Sequence, residues 1–139
     1  GSVKKKYDLT ESASLHKYNQ LCENILKLKN LKSQINYENY ILTNHLSSLN
    51  NNVHNLRGKW GFFYEFSTNN INKISKYVNN KYQTLTYFGI DKNEIRNFIV
   101  KNELSGIDRV VPIGQALDMS FYWDGYDLNK ILSRIVDIK

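Results

Sequence analysis

The chain has 139 residues and a net charge of +6, and 41% of its residues are hydrophobic. This length suits a single domain, and the apolar fraction excludes an intrinsically disordered chain. The positive charge suggests a nucleic-acid partner. However, the lysines are dispersed, and their one tight run, Lys4 to Lys6, lies beside the terminus. We therefore expect no nucleic-acid site.

A single cysteine, Cys22, excludes an internal disulfide and is typical of a reducing compartment, so we expect a cytoplasmic location. No stretch approaches the roughly 20 apolar residues of a membrane span, and no signal peptide is evident. Residues 1–6 are expected to be a tag remnant and a flexible basic terminus. Because no initiator methionine is present, residues 7–139 are interpreted as a single α/β domain cut from a longer protein.

Residues 7–57 are predicted to be mainly helical. Asp8 and Glu11 have the spacing of a capping box, which marks the start of a helix. Apolar residues at three- and four-residue spacing then predict the buried stripe of an amphipathic helix: Leu15, Tyr18, Leu21, Cys22, Ile25, Leu28 and Leu31. A looser four-residue stripe predicts a second helix that ends near Leu49: Tyr37, Ile41, His45 and Leu49.

Residues 58–139 are predicted to be α/β. Short aromatic or β-branched runs predict three strands, at 61–66, 83–88 and 108–113. Helical patterns separate them, at 71–78 and after Asp91, where we expect Ile95, Phe98 and Ile99 to be buried. Connections of this length favour parallel strands. The predicted fold class is therefore α/β, with leading helices followed by a β-α-β-α-β layer.

The segment Trp123-Asp124-Gly125-Tyr126-Asp127 has the composition of a turn that opens a helix. Gly125 can supply a positive φ, and Asp127 can cap a final helix or strand that extends to Val136. An ordinary tight turn explains this composition as well as a functional loop does.

The common catalytic motifs are missing from the sequence. It has no GxGxxG, no P-loop lysine motif and no Gly-x-Ser-x-Gly elbow. None of His16, His45 and His54 has a cysteine or carboxylate at metal-ligand spacing. Cys22 is interpreted as a small core residue rather than a nucleophile. The residues alone therefore assign no catalytic, cofactor-binding or metal-binding side chain.

The strings GIDRVVPIGQALD, WDGYDL and LSRIVDI, with KYQTLTYFGI before them, resemble the C-terminal end of the long-chain acyl-CoA reductase family. This family contains the fatty-acid reductase of bacterial luminescence and is similar to the aldehyde dehydrogenase superfamily. The resemblance extends from Trp60 to Ile138. It implies that residues 58–139 close an aldehyde dehydrogenase-like catalytic domain. In that superfamily a Glu-x-Phe-Gly segment touches the cofactor, but Gly58 here stands in place of the Glu.

The resemblance implies that the full protein reduces fatty acyl-CoA to fatty aldehyde. An upstream cysteine would form an acyl thioester, and NADPH, bound mainly by a missing upstream domain, would supply the hydride. Gln115, Trp123 and Asp124 would wall the substrate cleft, the enzyme would be a homo-oligomer, and this fragment alone would be inactive. An alternative is a non-enzymatic interaction module whose basic surface binds a protein or nucleic acid.

Overall fold

A computed structural model describes residues 9–139; the predicted terminus at 1–6 and Asp8 of the predicted capping box lie outside these residues. The fold is mixed α/β, with three small sheets and several helices. The chain divides into two compact units, of which one ends at Asn69 and the other begins at Asn70. The assignment of 7–139 to a single domain stays a prediction.

The first unit opens with helix α1 (Glu11–Lys27), and Thr10 is its N-cap, because the Thr10 side chain accepts a hydrogen bond from the Ala13 amide. The helix is confirmed, but its predicted buried face is wrong. Leu15, Tyr18 and Ile25 of the apolar stripe are all more than half exposed. The buried residues of α1 are instead Ala13, Lys17 and Asn24.

The predicted second helix is wrong. Strands β1 (Leu31–Tyr37) and β2 (Ile41–Leu46) form an antiparallel hairpin in this region. Glu38 and Asn39 both have positive φ, which is the pattern of the tight turns that close hairpins. Within β2, Leu42, Thr43, Asn44 and Leu46 are buried, so both faces of this central strand are covered, while Ile41 and His45 of the predicted stripe are half-buried. Residues 9–57 therefore contain a helix, a hairpin and a short 3₁₀ helix, and the prediction that this region is mainly helical is wrong for its described part.

Strand β3 (Phe62–Phe66) pairs in parallel with β2, which gives a sheet of order β1-β2-β3. The crossover between β2 and β3 contains a short 3₁₀ helix, Val53–Asn55. The strand itself was predicted, but it completes the hairpin sheet and does not pair with the later strands. The predicted continuous β-α-β-α-β layer is therefore divided between two sheets.

The second unit contains a 3₁₀ helix (Ile71–Tyr77), where an ordinary helix was expected, and a β-α-β segment. The segment consists of β4 (Gln83–Tyr87), α2 (Lys92–Lys101) and β5 (Ile107–Pro112), and its strands are parallel as predicted. The Asp91 side chain caps α2, and Ile95 and Phe98 are its buried residues, which confirms that part of the prediction.

The end of the second unit is a small hairpin and a short helix. Strands β6 (Tyr122–Trp123) and β7 (Tyr126–Asp127) are antiparallel. Asp124 and Gly125 between them both have positive φ, as in a type I′ turn. Asp127 accepts hydrogen bonds from the amides of Asn129 and Lys130 and so caps α3 (Leu128–Leu132). The predicted roles of Gly125 and Asp127 are confirmed.

Candidate functional site

Arg109 organises the loop that follows β5. Its guanidinium donates hydrogen bonds to three backbone carbonyl oxygens, those of Gln115 at 3.2 Å, Ala116 at 2.6 Å and Asp118. A guanidinium is planar and carries five N–H donors, so one side chain can bind several converging carbonyls. Arg109 thereby fixes the course of the chain after the Pro112-Ile113-Gly114 turn.

The same guanidinium lies over the ring of Trp123, with Cζ 4.8 Å from the ring centroid. A cation–π contact at this distance is worth about 0.5–1 kcal/mol when exposed and more when water is excluded. Arg109 therefore joins the loop after β5 to the β6–β7 hairpin. The strings GIDRVVPIGQALD and WDGYDL are thus connected through Arg109.

The three residues predicted to wall a cleft have different places in this structure. Gln115 contacts Arg109 through its backbone carbonyl, and Trp123 contacts it through its ring. Asp124 occupies the exposed turn between β6 and β7. The structure thus brings Gln115 and Trp123 together around Arg109, whereas the position of Asp124 is set by the turn. Their role in a substrate cleft stays a prediction.

An apolar groove of about 380 Å³ lies between α2 and the β4–β5 sheet. Ile95, which is almost fully buried, belongs to its wall, and Val110 is 38% exposed within it. The lining residues are mostly aliphatic: Tyr87, Lys92, Ile95, Arg96, Ile99, Val100, Val110 and Pro112. A groove of this composition favours an alkyl chain or another apolar body over a polar ligand.

Three residues with polar or charged ends also line the groove, although almost all of the surface that it exposes is apolar. Lys92 and Arg96, both exposed on α2, are cationic, and Tyr87 adds a phenol at the end of β4. Tyr87 and Pro112 stand at the carboxyl ends of the two parallel strands, where open α/β sheets commonly bind ligands. The groove therefore suits an apolar body, and the exposed Lys92 and Arg96 of α2 belong to its wall.

Sequence reasoning missed both Arg109 and the groove. Arg109 was treated only as part of a strand, because nothing in the sequence shows that a guanidinium will meet carbonyls six to nine residues later. Of the residues that line the groove, the sequence predicts only Ile95 and Ile99 to be buried. Phe98 is buried but does not line the groove, and Ile99 lines the groove but is only half-buried. Ile95 is both buried and part of the groove wall. The amphipathic period identifies the apolar face of a helix but not what covers it.

The clearest pKa shifts lie in the first unit. Burial lowers the pKa of Lys17, whose ammonium donates hydrogen bonds to the backbone carbonyls of Asn39 and Tyr40. Burial also raises the pKa of the Tyr64 phenol, opposed by hydrogen bonds from Asn24 and Gln20. These contacts join α1 to the hairpin turn and to β3, so they are structural.

Within residues 9–139, no group of three histidine, cysteine, aspartate or glutamate side chains is placed to hold a metal ion. No helix in the same range is both long enough and apolar enough to cross a membrane. Comparison with models of protein families, with curated proteins and with solved structures finds no match to this chain.

Proposed function

We propose that this chain is the C-terminal part of a nicotinamide-dependent long-chain acyl-CoA reductase and that its apolar groove holds the fatty acyl chain. The groove between α2 and the β4–β5 sheet is the observation that carries the proposal. An acyl-CoA combines a long alkyl chain with an anionic phosphate-bearing head. The aliphatic lining suits the first, and Lys92 and Arg96 suit the second.

The resemblance of the C-terminal strings supplies the reaction class. In the proposal, an upstream cysteine receives the acyl group as a thioester, and NADPH is bound upstream and supplies the hydride that releases the aldehyde. Residues 9–139 have no glycine-rich phosphate loop, which supports placing the cofactor outside this segment. The aldehyde dehydrogenase-like layering, a homo-oligomeric bacterial enzyme and a cytoplasmic location belong to the same proposal.

Each role within this segment follows from its chemistry. The groove would bind and orient the acyl chain and exclude water from it. Arg109 would fix the loop that contains Gln115. It would not contact the reacting carbon of the substrate. Neither Gln115, Trp123 nor Asp124 is assigned a proton-transfer role, and their proposed part is to shape the cleft wall.

The proposal is tested by assaying NADPH oxidation with long-chain acyl-CoA in the full-length parent and in this 139-residue chain. We expect activity in the parent only. Val110→Asp in the parent is then expected to raise KM for long chains and to leave a four-carbon acyl-CoA unaffected. Each buried methylene contributes about 0.8 kcal/mol, or about fourfold in affinity, so the loss grows with chain length.

Val136→Asp is the matched control, because Val136 is a strongly exposed valine outside the groove. An equal effect of the two substitutions at every chain length would remove the groove from the proposal. A parent without reductase activity would overturn the reductase itself.

An interaction module remains the second candidate, and one observation favours it. Three residues of the apolar stripe of α1 are exposed, Leu15, Tyr18 and Ile25, at 61%, 63% and 56%, whereas Leu21 and Cys22 are half-buried. Exposed apolar patches commonly mark protein interfaces. A nucleic-acid partner would bind with an affinity that falls steeply as the salt concentration rises. A protein partner that binds this stripe would lose its affinity in the Tyr18→Glu variant.

A further inference from the structure

The first unit contains a row of three polar side chains that the proposed reductase does not use. Ser33 on β1 is the register partner of His45 on β2, and His45 is the register partner of Glu65 on β3. Partners in register lie on the same face of a sheet, with Cβ atoms about 4.5–5.5 Å apart in an antiparallel pair. A hydroxyl, an imidazole and a carboxylate therefore follow one another across three strands.

His45 and Glu65 are already in contact. Nδ1 of His45 lies 3.2 Å from Oε2 of Glu65, and the two side chains are 28% and 51% exposed. At this distance the carboxylate can accept the Nδ1 proton in a hydrogen bond. In the tautomer that this contact favours, the lone pair is on Nε2, where it can accept a proton from a hydroxyl.

A β-bulge adds a cation beside the row. The β1–β2 register shifts between Leu31 and Ser33, so that Lys32 is the extra residue. Bulges re-aim side chains and are over-represented next to active sites. Lys32 and Ser33, although consecutive, both line the same cleft, which alternation along a regular strand would not allow.

The row faces a polar cleft of about 290 Å³, large enough for a small substrate. Six of its seven lining residues have polar side chains: Lys32, Ser33, His45, Leu46, Ser47, Glu65 and Ser67. An exposed ion pair contributes little to the free energy of folding, so stability alone does not explain why His45 and Glu65 are placed together. The combination of hydroxyl, oriented imidazole and nearby ammonium is the set that nucleophilic acyl transfer uses.

We propose that Ser33, His45 and Glu65 form a nucleophile, base and orienting carboxylate that accept an acyl group from a small activated ester. Ser33 Oγ attacks the ester carbonyl carbon while its proton passes to Nε2 of His45. Lys32 faces the negative charge that develops on the carbonyl oxygen. The bond to the leaving group then breaks, and the leaving alcohol takes the proton from His45.

The product of this step is an ester of Ser33. Water then attacks its carbonyl carbon while His45 takes a proton from the water, and His45 returns that proton to Ser33 Oγ as the acyl–oxygen bond breaks. No oxidant, reductant or metal is needed. The site lies entirely within the first unit, so it stands or falls independently of the acyl-CoA groove in the second. Esters with short acyl groups fit the cleft best, because Leu46 is the one apolar residue of its lining.

A fluorophosphonate probe tests the proposal on the full 139-residue chain. The nucleophile displaces fluoride from phosphorus, and the mass added to the chain identifies the modified residue after peptide mass spectrometry. We expect one label per chain, at Ser33. Ser33→Ala is expected to abolish labelling, and His45→Gln is expected to slow it about 100-fold, the range of a positioned general base.

Ser48→Ala is the matched control, because Ser48 is an exposed serine that follows the same hairpin and lies outside the cleft lining. It is expected to label at the rate of the unchanged chain. Glu65→Gln keeps the size of a half-exposed side chain and is expected to slow labelling, so the row remains testable even where His45→Gln does not fold. An unlabelled chain, a label elsewhere, or equal rates in Glu65→Gln and the unchanged chain would each overturn the proposal.

Discussion

The guanidinium of Arg109 lies 4.8 Å above the ring of Trp123 while it also binds the carbonyls of Gln115, Ala116 and Asp118. One cation thus joins strand β5, the loop after it and the β6–β7 hairpin. Lysine has the same charge but cannot reproduce this set of contacts, because its ammonium lacks the planar fork that meets several carbonyls and stacks on a ring.

Arg109→Lys is therefore expected to lower the free energy of unfolding by about 1–3 kcal/mol, the range for losing hydrogen bonds to a charged group. It should also change the fluorescence of Trp123, measured in a Trp60→Phe background so that one indole reports. Arg134→Lys, at an exposed arginine near the C-terminus, is the control and should change neither quantity. Equal fluorescence in Arg109→Lys and the unchanged chain would show that the stacking does not persist in solution.

The contrast between α1 and α2 shows which part of the fold the sequence could specify. For α2, the cap at Asp91 and the buried Ile95 and Phe98 were all predicted, because its buried side chains lie on the apolar stripe that the helical period identifies. For α1, Leu15, Tyr18 and Ile25 of the apolar stripe are exposed, and the buried residues include Lys17 and Asn24. Their burial depends on carbonyls and a phenol that come from β3 and the hairpin turn, which periodicity cannot reveal.

The first strands and the candidate sites show the same limit. The hairpin was mistaken for a helix because residues four apart in β2, Ile41 and His45, fitted a helical stripe as well as a strand. Asn39 itself was the sequence signal that could have corrected this, since asparagine tolerates the positive φ that it adopts in the hairpin turn. His45 and Glu65 are 20 residues apart, and only the parallel pairing of β2 with β3 brings them together.

Lys17 predicts a specific dependence of stability on pH. Its pKa is 10.5 in the unfolded chain and is lowered by burial in the folded one. Between those two values the unfolded chain binds more protons, so the free energy of unfolding rises with pH through that window. Below the folded pKa the cost of burying the charge is fully present. Lys17→Met should remove the rise.

The measurement is urea unfolding of both chains at a series of pH values up to 10. Above pH 10 the raised pKa of Tyr64 would make stability fall with pH, so this range keeps the two effects apart. Lys27→Met, at an exposed lysine of the same helix, should keep the slope of the unchanged chain. A slope that survives in Lys17→Met would assign the pH dependence to another group.

Asn44 is expected to lower the free energy of unfolding relative to an apolar residue at the same position. Its side chain is fully buried, and neither Nδ2 nor Oδ1 has a hydrogen-bond partner among residues 9–139. A buried unsatisfied polar group costs about 1–3 kcal/mol, so Asn44→Val should raise the free energy of unfolding by about that amount. Thr86→Val, at an exposed strand position, should change it by less than about 0.5 kcal/mol. A destabilised Asn44→Val would mean that the amide gains hydrogen bonds in solution.

Gly106 is expected to tolerate no side chain, because a Cβ there would lie 2.1 Å from the carbonyl oxygen of Asn79 and 2.8 Å from the amide nitrogen of Asn80. Both are backbone atoms of the turn that leads into β4, and the Gly106 carbonyl accepts a hydrogen bond from the Gln83 amide. Gly106→Ala must therefore displace the start of the β4–β5 pairing. Overpacking of this kind costs about 1–3 kcal/mol and sometimes more.

Gly89→Ala separates this steric effect from the general cost of replacing a glycine. A Cβ at Gly89 meets nothing within 4 Å, but its φ of +69° disfavours any other residue by about 1–2 kcal/mol. Thermal unfolding should show Gly106→Ala losing at least as much stability as Gly89→Ala. In addition, hydrogen exchange should show lost protection of the Gln83 amide in Gly106→Ala alone. Retained protection there would mean that the turn at Asn79 moves aside without disturbing the sheet that forms one side of the apolar groove.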